Sequence, residues 1–179
     1  MTYCIIWKKE NTIFFLSDSA VSSGSDQSFK DDPSEYNAFG EKQDRYNDYF
    51  VYERKNKITK VNDSTAVCFA GDILDGYEMI RILEESLSYG LDIYSAINVV
   101  HSSTSSSRVQ FVVGFIEYGK PRIIKIEDGN LFEGDMFEIG SGADVSQWSE
   151  SMKKWLEFNW PIEHLLAIMV VQIQVEAMT

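Results

Sequence analysis

The stretch Thr65-Ala66-Val67-Cys68-Phe69-Ala70-Gly71-Asp72-Ile73-Leu74-Asp75 changes its hydrophobic period at Gly71-Asp72. Residues 65–70 are apolar at successive positions, so both faces of an extended segment there must be covered; this is the pattern of a strand inside a layered fold. After Asp72 the period becomes helical. Ile73, Tyr77, Ile80, Leu83 and Leu87 mark one face, and Gly90 follows as a stop. A strand buried on both faces that turns directly into an amphipathic helix calls for a sheet with a helix layer on one side and a further layer on the other.

Upstream, Lys57-Ile58-Thr59-Lys60-Val61 and Phe50-Val51-Tyr52-Glu53 read as strands. Residues 3–7 and 13–17 form a hairpin across the polar stretch Lys8-Lys9-Glu10-Asn11. From Ser22 to about Tyr49 the pattern dissolves into Ser, Asp, Asn, Gly and Lys, a long surface excursion. Downstream, Ile93, Ala96, Ile97 and Val100 give a second helix, which runs into the serine tract 102–107. Val109 to Glu117 is again apolar on both faces, Tyr118-Gly119-Lys120-Pro121 is a turn, and Arg122 to Glu127 a strand. Asp135 to Gly142 leads into a helix with Val145, Trp148, Met152 and Trp155 on its inner stripe. Pro161 opens a last, largely apolar helix through Ile162, Leu165, Leu166, Met169 and Ile173. Strands, two helices, strands, two helices is a segregated order, and it predicts an α+β fold with two sheets sandwiched between helix layers.

The 179 residues suit a single domain, 1–179. Asp and Glu total 28 against 16 Lys and Arg, a formal charge of −12, and no basic stripe is visible, so a nucleic-acid partner is not expected. No segment approaches the roughly 20 apolar residues of a membrane span, and the first residues lack a secretory pattern, so the expected location is cytoplasmic. Cys4 and Cys68 lie in apolar runs and read as buried free thiols. His101 and His164 are the only histidines, and neither accompanies a nucleophile signature or a metal-ligand spacing, so no metal or other cofactor is expected.

One nucleophilic route needs no histidine. A threonine at the chain terminus can use its own α-amine as general base, since that amine titrates near about 7.7–8.0. Thr2 is placed for this once Met1 is removed, and a small second residue permits removal.

The sequence around it resembles the proteasome β subunits and the related bacterial heat-shock peptidase, members of the N-terminal-nucleophile (Ntn) hydrolases. Thr2-Tyr3-Cys4-Ile5-Ile6-Trp7 with Phe15-Leu16-Ser17-Asp18-Ser19-Ala20 is similar to the family's opening hairpin. Lys57-Ile58-Thr59-Lys60-Val61-Asn62 looks like its lysine-containing strand, and Phe69-Ala70-Gly71-Asp72-Ile73-Leu74-Asp75 like its turn into the first helix. Val112-Val113-Gly114-Phe115 followed by Pro121-Arg122-Ile123-Ile124 resembles the central hairpin, and Ile139-Gly140-Ser141-Gly142 the Gly-Ser-Gly signature.

The resemblance implies a four-layer αββα sandwich. It also implies a catalytic set: Thr2 as nucleophile, Lys57 as the positive charge beside it, Asp18 as the partner of Lys57, the Gly71 N–H as oxyanion donor, and Ser141 as partner of the terminal amine. Lys55 and Lys60 are rivals for the lysine role; alternation favours Lys57. Two departures accompany it. Residues about 23–50 read as a surface insertion, and the chain runs to Glu176-Ala177-Met178-Thr179 in helical pattern, so the family's last strands lack a counterpart. The implied function is a threonine-type hydrolase of peptide or amide bonds, active after Met1 removal. The alternative is a non-catalytic proteasome-like subunit with a structural or partner-binding role. Either implies a homo-oligomer, ring or dimer, and the family adds a peptide substrate and an unfoldase or other protein partner.

Overall fold

The computed structural model describes residues 3–17, 20–23, 50–53, 57–103, 108–144, 150–151 and 153–154. The opening hairpin forms as the alternation predicts. β1 (Cys4–Lys9) pairs antiparallel with β2 (Thr12–Ser17), from Cys4↔Ser17 to Lys9↔Thr12, across a turn in which Glu10 adopts φ 55°. Two further strands follow, β3 (Ala20–Ser23) and β4 (Phe50–Glu53), which pair with each other from Ala20↔Glu53 to Ser23↔Phe50. Residues 24–49, most of the expected insertion, connect these two strands in sequence and are outside the described residues.

β5 (Ile58–Asn62), β6 (Thr65–Gly71), β7 (Val109–Glu117), β8 (Lys120–Glu127) and β9 (Asn130–Glu133) make a five-stranded antiparallel sheet in the order β5-β6-β7-β8-β9. Between β6 and β7 run α1 (Ile73–Ser88) and α2 (Ile93–Ser103). The double-sided apolar strands divide their side chains as expected. Val67, Phe69, Phe111, Val113, Phe115, Ile124 and Ile126 face the helices and form one core with Met79, Leu83, Ile97 and Val100. Cys68, Ala70, Val112 and Ile123 face the other way and meet Cys4, Ile6 and Ile139 of a second sheet.

That second sheet is three-stranded, in the order β10-β1-β2, with β10 (Met136–Ile139) antiparallel to β1 from Cys4↔Ile139 to Trp7↔Met136. Cys4 and Ile6 point into the inter-sheet core, so alternation turns Ile5 and Trp7 outward; both are nevertheless buried. The second sheet is thus covered on both faces, as a helix–sheet–sheet–helix sandwich requires. No described helix is long and apolar enough to cross a membrane.

The structure departs from the sequence reading in four places. Tyr77 and Ile73 do not lie in the centre of the α1 contact: the buried positions are Gly76, Met79, Ile80, Leu83 and Ser86, with Tyr77 edge-on to Phe69 at 5.4 Å on the margin. The turn after β7 is only Tyr118-Gly119, both at positive φ (49° and 76°), and Pro121 is already in β8 opposite Ile116. Residues 136–139, expected to lead into a helix, are β10. β3 and β9 carried no predicted strand. Residues 150–151 and 153–154 are helical, as expected there, whereas the stripe residues Val145, Trp148, Met152 and Trp155 and the helix from Pro161 lie outside the described residues.

Candidate active site

Among the described residues, several strand ends near the sequence-predicted positions meet at one end of the two sheets. Three strands terminate on a single row: Cys4 opens β1, Ser17 closes β2 opposite it, and Ile139 closes β10 on the other side. Thr2 precedes this row by chain connection, Asp18 follows Ser17, and Gly140-Ser141 follows Ile139. Thr2 and Asp18 themselves are outside the described residues. Tyr3, the neighbour of Thr2, is buried, and its hydroxyl donates to Glu138 Oε1 in β10 at 3.0 Å, tying the start of β1 to the strand that leads to Ser141.

The five-stranded sheet meets this row from below. The Cys4 thiol donates to the Phe69 carbonyl at 3.8 Å, so the start of β1 lies over the end of β6. Gly71 closes β6, opposite Val109, with φ 113°. A Cβ there would stand 2.2 Å from the Arg108 carbonyl oxygen, a backbone atom that cannot step aside, so only glycine fits. Asp72 then caps α1: its side chain accepts from the Leu74 N–H at 2.8 Å and the Asp75 N–H at 3.1 Å. Gly71 therefore makes the strand-to-helix turn whatever else its N–H does.

Lys57 precedes β5 and is only 4% exposed, whereas the Lys60 side chain is 68% exposed and pairs with Asp63 at 2.7 Å in the β5–β6 turn. Burying an ammonium group is expensive, so a lysine held at this depth beside the end of β6 is the candidate with an electrostatic purpose. Lys60 is a surface lysine; Lys55 is outside the described residues.

Ser141 begins a short 3-10 turn (Ser141–Asp144) and is exposed. The turn is held from below by a residue that the sequence reading passed over. The Gly140 N–H donates to Gln110 Oε1 at 2.5 Å, and Gln110 in β7 lies opposite Ala70 in β6. The available signal was a single amide interrupting the otherwise apolar run 109–116.

Three other chemistry-bearing side chains are taken up in packing and structural contacts. Cys4 and Cys68 are both free and fully buried, which closes both to solvent; burial, reinforced by the neighbouring Cys4 thiol, pushes the Cys68 thiol well up. His101 Nε2 lies 2.9 Å from the Gly129 carbonyl, an α2-to-turn contact. Among the described residues no cluster of His, Cys, Asp and Glu could hold a metal ion.

The sequence matches the family of proteasome subunits over residues 39–160, more than half of the chain. No curated protein matches it. Among solved structures the chain is similar to the Anbu (Gly-1) mutant from Hyphomicrobium sp. strain MC1, with 19% identity and a TM-score of 0.54. That alignment covers 79% of this chain and 60% of the other, so it is a likeness of fold, and the chain spans about three-fifths of that neighbour's length.

Proposed function

This chain belongs to the proteasome subunit family, and on that premise we propose that it is a threonine-type Ntn hydrolase that cleaves peptide or other amide bonds once Met1 has been removed. The observation that carries the reading is the common row where β1 begins and β2 and β10 end, over the Gly71 end of β6, with the buried Lys57 leading into the neighbouring strand β5. That row gathers the termini of the segments bearing Thr2, Asp18 and Ser141.

In this reading the Thr2 α-amine removes the proton from its own Oγ as the oxygen attacks the substrate carbonyl. The Lys57 charge, paired with Asp18, lowers the energy of the developing alkoxide. The Gly71 N–H donates to the oxyanion, a contribution on the order of 3 kcal/mol for one preorganised donor. Ser141 hydrogen-bonds the amine and returns the proton to the leaving nitrogen. Collapse of the tetrahedral intermediate expels the amine product and leaves an ester at Thr2 Oγ, which water, activated by the same α-amine, hydrolyses. The reading includes a cytoplasmic homo-oligomer, with peptide delivered by an unfoldase or another protein partner.

Intact mass of the isolated protein tests the first requirement: loss of Met1. A terminal-threonine-directed electrophile should then add once per chain at Thr2. Thr2→Ala should abolish labelling, and Lys57→Met should slow it by about a hundredfold or more with the fold intact. A mature chain that keeps Met1 and refuses the label overturns the reading, leaving a non-catalytic subunit that acts through its surfaces.

A further inference from the structure

Gln110 is held in a chain of polar contacts that joins the two sheets beside the candidate site. On one side its Oε1 accepts from the Gly140 N–H at 2.5 Å. On the other its Nε2 donates to Glu127 Oε1, and Glu127 Oε2 accepts from Lys125 Nζ at 2.6 Å. Lys125 Nζ in turn sits 5.5 Å from the centre of the Phe137 ring in β10. The five-stranded sheet therefore grips the end of β10 twice, through Phe137 and through the backbone of Gly140.

The chemistry of the position selects glutamine. One head group must accept from an N–H and donate to a carboxylate, and a primary amide does both. Its orientation follows from its partners, because Gly140 offers only a proton and Glu127 only lone pairs. Partial burial opposes ionisation of Glu127, but hydrogen bonds from Lys125 and Gln110 and the Lys125 charge hold it below the ordinary glutamate range. It is an acceptor at neutral pH.

We propose that Gln110 is a positioning residue. It fixes the Gly140 N–H, and with it the turn bearing Ser141, against the end of β6 where Gly71 lies, one step along the ladder from the Gln110↔Ala70 pair. The catalytic consequence rests on the reading of Thr2 and Ser141 given above; the hold on the turn does not.

Gln110→Leu removes both contacts at similar volume. Gln110→Glu sets a carboxylate against that of Glu127, and the repulsion between them draws the new side chain off the Gly140 N–H. The double variant Gln110→Glu/Glu127→Gln restores donor and acceptor with polarity exchanged and net charge unchanged. Two quantities are read: hydrogen exchange of the Gly140 amide by NMR, which needs no activity, and the pH profile of Thr2 labelling by the electrophile. Either single variant should speed Gly140 exchange by about tenfold, the loss of one such bond, while β6 and β7 amides stay protected. Each should also slow labelling by about tenfold and shift its pH profile, and the double variant should recover both.

Unchanged Gly140 exchange in Gln110→Glu overturns the proposal. So does a labelling loss that merely tracks global unfolding with its pH profile unmoved, or a failure of the double variant to recover. If the wild-type chain takes no label but Gly140 exchange rises and is rescued, the Thr2 reading fails and Gln110 still holds the turn. If the wild type labels and the variants match it in rate and profile, Thr2 stands and Gln110 is not a positioning residue.

Discussion

Replacing Gly76 with alanine puts two effects of opposite sign into one methyl group. In a helix interior alanine is favoured over glycine by about 1 kcal/mol, because glycine loses more backbone freedom on folding. Gly76, however, is buried where α1 crosses β6. An added Cβ would stand 2.2 Å from Phe69 Cδ2, 2.3 Å from Cε2 and 2.7 Å from Cγ. These atoms include the root of the ring, so no small swing of its tip relieves the contact. Phe69 is 2% exposed and backed by the edge of Tyr77, which leaves α1 to lift off the sheet. Overpacking costs about 1–3 kcal/mol, and contacts this short place it at the upper end, about 2–3 kcal/mol, so it should outweigh the helical gain and leave a net loss of about 1–2 kcal/mol. For a domain of this size that lowers Tm by about 2–8 °C. Urea unfolding measures it, with the midpoint falling and the slope unchanged. In a Phe69→Ala background the same substitution should turn neutral or stabilising, a coupling that a double-mutant cycle isolates. A Gly76→Ala protein as stable as wild type, or a penalty that persists without the Phe69 ring, would refute the argument.

Asp72→Ala removes the acceptor of two N-terminal amides of α1 and should destabilise by about 1 kcal/mol, read by chemical denaturation. Cys4 and Cys68 should resist iodoacetamide at pH 8 in the native protein and both react in denaturant, counted by intact mass; rapid native alkylation of either would contradict their burial. Glu127 has a depressed carboxyl in the folded state, so its stabilisation is present above the ordinary glutamate range of about 4.3 and is lost as pH falls through the lowered value. Glu127→Gln should therefore be less stable at pH 7 and lose less stability on acidification, measured by Tm across pH 2 to 7.

How much was legible depended on where each signal sits. The β1–β2 hairpin, β6, β7 and α2 announce themselves because burial imposes a period on consecutive side chains, and Ala96, Ile97 and Val100 are buried as the spacing predicts. The α1 face was read around Tyr77 because the true contact centres on Gly76, which has no side chain to enter a hydrophobic count. β9 leaves all four residues exposed, so nothing alternates. β10 is short, flanked by Gly134 and Gly140, and becomes a strand only by pairing with β1, far away in the chain. Within the candidate site, alternation sets Lys57 apart from Lys60, and the two differ in exposure, Lys57 buried and Lys60 at the surface. Gln110 was illegible because its partners, Gly140 and Glu127, lie distant in sequence and adjacent only once two sheets have packed.

The β3–β4 ribbon has a consequence for the long polar stretch between its strands. Ser23 and Phe50 are direct cross-strand partners, so the two ends of the stretch 24–49 are held side by side. Loop closure becomes only about 0.6 kcal/mol harder for each doubling of length, so the thermodynamic difference between a short connection and a long one there is small. That makes the ribbon a port: a foreign peptide spliced between residues 24 and 49, or a tight turn in their place, should leave the core register of β1, β6 and β10 untouched.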